Sequence, residues 1–396
     1  MTFGALPLAE PLPPSVAFQN SPGGLMRIRL VAVLAVAYVA GSGCDALFGT
    51  NKGDDRVVWR VPFATEGSHT QPLVLDSVVI FATRSGWVVA LGRIKGDLRW
   101  KTQVLPEGWP MLARNLAITP TDVLVPAIRV AALDLKTGRE RWAFDAPPDV
   151  PGDESVAVSD TLAFAAGGLG LVYAFDTRTG VERWRVDLGE RPFGLVVSGG
   201  TLYFGTRGFY EGGLGAGHFV ALDARTGTEH WRVVAPDAPS RPYSGGSVGF
   251  PEVNGDTVYV TGVSGKVYAL ATATGDSLWV AGDWSGPADM YFQGPVLAGG
   301  TLVSIRDDGH AFGWNPTTGA LRWSTRIGGP VDQPTSDGRL VFVNTSRVYA
   351  ITADGRIVWI VPSKISTFGF SSPPAIAGRV LYVVGYDGFY ALRAYP

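Results

Sequence analysis

Few residues in this chain of 396 could carry out reactions. The strongest candidates are four histidines, His69, His218, His230 and His310, and a single cysteine, Cys44. The histidines fall at unrelated places and no pair has the spacing of a metal site, so solvated or locally bonded side chains are expected. One thiol cannot form a disulfide within the chain. The sequence holds no C-x-x-C-H for haem, no G-x-S-x-G nucleophile elbow and no phosphate loop. Asp307-Asp308-Gly309 has the composition of part of a calcium loop, but Asp and Gly are equally the residues of a hairpin turn, and the turn is expected here. No catalytic residue, metal ligand or cofactor is therefore assigned.

The surroundings of Cys44 are more informative than its thiol. Met26-Arg27-Ile28-Arg29 is basic, Leu30 to Ala40 is apolar, and Gly41-Ser42-Gly43 is a run of small residues just before the cysteine. Basic, apolar, then small residues is the order of an export signal, and the apolar run is too short to span a bilayer as a permanent helix. The segment resembles a lipobox, with Gly41 where Leu or Val is usual. That resemblance implies that residues 26–43 are a lipoprotein signal peptide, that Cys44 is lipidated, and that residues 44–56 form a tether. Residues 1–25 contain Pro11, Pro13, Pro14 and Pro22 but no Lys or Arg. They are expected to be a disordered, mis-called extension, with translation starting at Met26. Asp45 resembles the inner-membrane retention residue of enteric bacteria, so an inner-membrane address stands beside the favoured outer-membrane one.

Beyond the tether the chain repeats. Ala221-Leu222-Asp223-Ala224-Arg225-Thr226-Gly227-Thr228-Glu229-His230-Trp231 reads strand, tight turn, strand, and related stretches end at Trp100, Trp142, Trp184, Trp279, Trp323 and Trp359. Successive tryptophans are 42, 42, 47, 48, 44 and 36 residues apart, the period of a propeller blade. Two more short strands precede each copy, which makes four per unit. Units rich in Val, Tyr and Leu on both faces cannot cover their own apolar surface and must stack. The tryptophans are expected to fill the wedges between neighbouring blades.

The ends of the array predict how it closes. The last unit supplies Val380 to Val384 and Gly388 to Leu392 but stops before a turn-and-Trp strand, whereas Val57-Val58-Trp59-Arg60-Val61 is such a strand with nothing before it. Joining the two gives an all-β, eight-bladed propeller over residues 57–396, with Trp59 in the same blade as Tyr382 and Tyr390. Closure also removes the free sheet edges of an open array. Fifty-two Gly and 28 Pro suit so many turns, and 33 basic against 35 acidic residues give no support to nucleic-acid binding.

The A-L-D-x-x-T-G-x-x-x-W pattern resembles the pyrroloquinoline-quinone-type repeat, shared by quinoprotein dehydrogenases and by the BamB family of outer-membrane protein assembly lipoproteins. The dehydrogenases imply a cofactor pocket with a disulfide between adjacent cysteines and a calcium ion. With Cys44 alone, that disulfide cannot form, and no catalytic aspartate can be carried over. The assembly family implies a non-catalytic, periplasm-facing, membrane-anchored monomer whose partner is an outer-membrane barrel-assembly protein. Quinone-dependent oxidation and carbohydrate or cell-wall binding remain the alternatives.

In a four-stranded blade, the hairpins joining strands two and three emerge on the same face as the inter-blade segments. On that face the sequence places Arg84, Arg207, Arg306 and Arg347 at hairpin tips. It places Trp109, Arg241, Tyr243, Trp284, Tyr291 and Phe368 between blades. The fourth hairpin is enlarged and Gly-rich, with Phe209 and Tyr210. Aromatic and arginine residues are enriched at protein interfaces, which makes this the candidate partner-contact face. A plug for the central channel is the competing use of the same rings.

Overall fold

The computed structural model describes residues 56–62, 68, 70–106, 111, 113–127, 129–145, 155–167, 170–207, 217–234, 250–262, 265–282, 292–329, 333–361 and 370–395. The chain divides into two compact units, Met1–Ala46 and Leu47–Pro396. All described residues belong to the second. Segments 1–25 and 26–43, Cys44, and residues 45–55 of the tether lie outside them.

The second unit is a ring of eight four-stranded antiparallel sheets, an eight-bladed β-propeller. Blade 1 shows the pattern: Leu73–Val74 pairs with Val78–Ala82, then Trp87–Gly92, then the outer strand Leu98–Gln103. The middle strands are apolar on both faces and almost wholly buried, as strands sandwiched between two other sheets must be. Outer strands alternate instead. Glu182–Asp187 turns every second residue to solvent.

In each of the seven contiguous blades the ladder between the third and fourth strands shifts register at the same place, as between Ala90 and Leu91 or Ala174 and Phe175. This recurrent bulge, just after the residue opposite the seam tryptophan, twists the outer strand.

Blade 8 is split, as the unpaired ends of the array predict. Val57–Pro62 pairs antiparallel with Gly388–Arg393, with Trp59 opposite Ala391 and Arg60 opposite Tyr390. Trp59 stacks on Phe389 at 5.7 Å and meets Tyr382 at 6.0 Å. The core follows the seams: eight apolar clusters each join two neighbouring blades. One joins Trp59, Tyr382 and Phe389 of blade 8 to Val79, Phe81 and Leu91 of blade 1. Burial that exists only between blades makes each blade's stability depend on its neighbours.

Candidate interaction face and the seams that hold it

At every seam a tryptophan of one blade's outer strand reaches the turn of the next. The indole N–H of Trp59, Trp100, Trp142 and Trp184 donates to the carbonyls of Arg93, Leu135, Thr177 and Ala224, at 3.0, 2.9, 3.0 and 3.2 Å. Trp231, Trp279, Trp323 and Trp359 donate to Thr272, Pro316, Ala353 and Ala394, at 2.8, 2.9, 2.7 and 2.8 Å. Seven of these rings lie against a turn glycine: a Cβ on Gly96, Gly138, Gly180, Gly227, Gly275, Gly319 or Gly355 would stand 2.5 to 2.8 Å from the indole. These glycines have φ between +69° and +86°. They are therefore required twice, for the turn and for the close approach of the ring. At the eighth seam the chain is interrupted where the turn would be, and the Arg56 guanidinium lies 4.9 Å over Trp359 instead.

The turn is pre-formed by its aspartate. Asp223 Oδ1 accepts from the backbone N–H groups of Arg225 and Thr226 and from the Thr226 hydroxyl. Asp134 and Asp176 repeat the arrangement, and Asn315 accepts the two backbone N–H bonds in blade 6. Arg183 foremost, with Thr179 and the nearby N–H groups, lowers Asp176 to about 2. Arg141 and then Thr137 hold Asp134 below the usual carboxylate range.

Nearer the ring's centre a second set of bonds crosses the seams. Asn115 both donates to the Val156 carbonyl and accepts from its N–H, Leu195 N–H donates to Ser155 Oγ, and Thr261 donates to Gly294. Asn344 donates to Ser372 and Gln71 to Pro374. Glu252 lies on the inner strand of blade 5, and burial raises its pKa against the lowering effect of the Leu297 N–H.

The hairpins between strands two and three and the inter-blade segments do share a face. Met111 N–H donates to Arg84 O at 2.7 Å, Leu188 N–H to Gly170 O at 2.9 Å, and Ile327 N–H to Gly309 O at 2.7 Å. Arg84 and Arg347 are exposed at their tips. Arg207 ends the second strand of blade 4, with its backbone opposite Arg191. Arg306 is different from the expectation of a displayed arginine: its guanidinium donates to Asp308 at 2.6 Å and lies 4.7 Å over Phe312, with 12% of the side chain exposed. Asp307-Asp308-Gly309 is the hairpin tip, with Gly309 at φ +82°. Trp109, Phe209, Tyr210, Arg241, Tyr243, Trp284, Tyr291 and Phe368 lie outside the described residues, as do the side chain of Arg207 and His69.

The remaining histidines are local. His218 Nδ1 is 2.8 Å from the Glu190 carboxylate, His310 Nδ1 is 3.1 Å from Asp308, and His230 is exposed on an outer strand.

Residues 126–287 and 283–394 match the model of the family described as outer membrane protein assembly factor BamB. The chain belongs to that family. Individual BamB sequences align over shorter stretches. The protein of that name from Alkalilimnicola ehrlichii is 30% identical over 153 residues, covering 36% of this chain and 39% of the relative. The one from Yersinia pestis is 26% identical over 180 residues, covering 41% and 44%. The chain thus spans less than half the length of these curated relatives. The solved BamB from Moraxella catarrhalis superposes with a TM-score of 0.68 at 17% identity, over 85% of this chain and 99% of that one. The quinohemoprotein alcohol dehydrogenase from Comamonas testosteroni superposes with 0.67 at 14%, over 86% and 76%. At such identities these structures share the fold alone.

Proposed function

We propose that this BamB-family chain is a non-catalytic scaffold in outer-membrane β-barrel protein assembly. It is held at the membrane by a lipid on Cys44, faces the periplasm as a monomer, and contacts a barrel-assembly protein through the strand-two/three hairpin face. The family match across residues 126–394 carries this reading. The geometry adds support: the seam tryptophans are engaged in holding blades together, and the hairpin tips stand on a ring cross-linked at two radii. A loop surface on a rigid scaffold suits recognition without chemistry.

The quinone arrangement does not fit these residues. A single cysteine cannot make the adjacent-cysteine disulfide, and among the described residues no three His, Cys, Asp or Glu side chains gather as metal ligands.

Affinity capture from detergent-solubilised membranes tests the proposal. Barrel-assembly components in the eluate are expected. Enrichment of glycan would favour a cell-wall binding module, and saturable quinone binding with dye reduction would favour an oxidoreductase.

A further inference from the structure

The rim of the propeller is not uniform. On each outer strand the residues on either side of the seam tryptophan face away from the seam and outward. In blades 1 to 4 these are Arg99 and Lys101, Arg141 and Ala143, Arg183 and Arg185, and His230 and Arg232; blade 6 has Arg322 and Ser324. Blade 7 has Val358 and Ile360 instead, both exposed and preceded by exposed Ile357, and blade 8 has exposed Val58 with Arg60, which is ion-paired with Asp387. The turns differ as well. Two residues before the turn glycine, blades 2 to 4 carry Lys136, Arg178 and Arg225, but blade 1 carries Ile94, which at 80% is the most exposed large apolar side chain among the described residues. That turn packs on blade 8, since Arg93 O accepts the Trp59 N–H and Gly96 abuts Trp59 and Val61. Blades 7, 8 and 1 thus form an arc of exposed aliphatic side chains, Ile357, Val358, Ile360, Val58, Ile94 and Leu98, set among the basic Arg356, Arg60, Arg99 and Lys101. Leu278 and Val280 of blade 5 are exposed too, as are Val181, Val234 and Leu321 of blades 3, 4 and 6, but Arg183, Arg232 and Arg322 lie among them.

The arc coincides with the point where the N-terminal segment joins the ring. Arg56, the residue that leads into blade 8, lies over Trp359 of blade 7. Val58, Ile357 and Ile94 all lie at or next to the turn between the third and fourth strands, on the opposite side of the ring from the candidate contact face. From Cys44 to Arg56 the chain can extend no farther than about 40 Å.

We infer that the apolar arc formed by Val58, Ile94, Ile357, Val358 and Ile360 rests on the lipid bilayer, with the strand-two/three hairpins directed away from it. The inference rests on the reading of Cys44 as the lipidated residue. A patch of aliphatic side chains beside the attachment point needs only shallow insertion among headgroups and acyl chains, and anchoring by one group is strengthened by a second contact.

The test uses the full chain in isolated bacterial membranes. An environment-sensitive thiol dye is placed at Val358→Cys or Val58→Cys, and at the rim control Arg183→Cys, with melting temperature confirming an intact fold in each. Nitroxide-bearing lipids then report proximity. Quenching at positions 358 and 58 at least about threefold greater than at 183 is expected, with a blue shift at the first two. Equal quenching at all three, with the unsubstituted chain unlabelled, would overturn the arc while leaving the anchor intact. A blue shift at 358 without lipid quenching would also overturn it, because protein would then cover the arc. Dye on Cys44 of the unsubstituted chain would overturn the anchor reading and the arc with it.

Discussion

Trp142 and Gly180 meet across the seam between blades 2 and 3 so closely that a Cβ on the glycine would stand 2.5 Å from Cε3 of the indole. The ring's N–H is used there as well, on the Thr177 carbonyl. Trp142→Ala should therefore cost about 3 to 5 kcal/mol, with the lost hydrogen bond and the cavity acting together. Gly180→Ala should cost about 2 kcal/mol, from positive φ and steric overlap. The double substitution should cost less than the sum, because removing the indole relieves the overlap. Chemical denaturation of the four proteins reads this coupling, and strict additivity would contradict it.

Closure of the ring predicts a different pattern. Residues 57–62 supply the outer strand of blade 8, so deleting them exposes the edge of Gly388–Arg393 and removes Trp59 from the cluster shared with blade 1. Hydrogen exchange should then become fast across 388–393 and in the Arg93 turn, while blades 3 to 5 keep their protection. Protection of 388–393 that survives the deletion would contradict the pairing.

Much of this arrangement can be read from the sequence. The spacing of the tryptophans marks the blades, and the missing strand after Leu392 matches the surplus strand at Trp59, because strand pairing leaves a countable remainder. The partner of each tryptophan is harder to read. Trp184 binds the Ala224 carbonyl and Gly227 of the following repeat, so the turn glycine of one copy serves the ring of another, and a pattern within one repeat cannot reveal it. The inner bonds have no periodic signature at all. Asn115 binds backbone atoms of Val156, and backbone atoms are the same for every residue type. Arg306 was legible in principle: Asp308, two residues on within the hairpin tip, is an available partner for its guanidinium.

The depressed carboxylates of the turns make an acid prediction. Asp176 titrates at about 2 in the folded protein, against about 4 in an unfolded chain. A carboxylate lowered on folding adds stability above its unfolded value and loses it as pH falls through the folded one. The loss should therefore run from about pH 4 down to about pH 2. Asp176→Asn keeps acceptors for the turn, as Asn315 does in blade 6, and removes the charge on which Arg183 depends. At pH 7 it should cost under about 1 kcal/mol, the range of an exposed ion pair, and the difference from the parent should vanish near pH 2. Melting temperatures across that interval check the sign, and a gap that widens on acidification would contradict it.

On the contact face, Trp109→Ala and Tyr243→Ala should leave the melting temperature within a degree or two while weakening partner binding by about 2 kcal/mol or more if either is a hot spot. Trp142→Ala should do the reverse. If the two loop substitutions lower the melting temperature as far as Trp142→Ala does, with binding per folded molecule unchanged, those rings belong to the core.

Site-specific photo-crosslinking in living cells tests the scaffold reading most directly. A photoreactive residue at Arg84 or Arg347 lies on the exposed hairpin face, and one at Arg183 or Arg232 lies on the charged rim. Adducts carrying a barrel-assembly protein should form from positions 84 and 347 and be absent from 183 and 232. Adducts with that protein from the rim alone, or none from any of the four positions when the chain is folded and membrane-bound, would contradict a scaffold that works through its hairpin face.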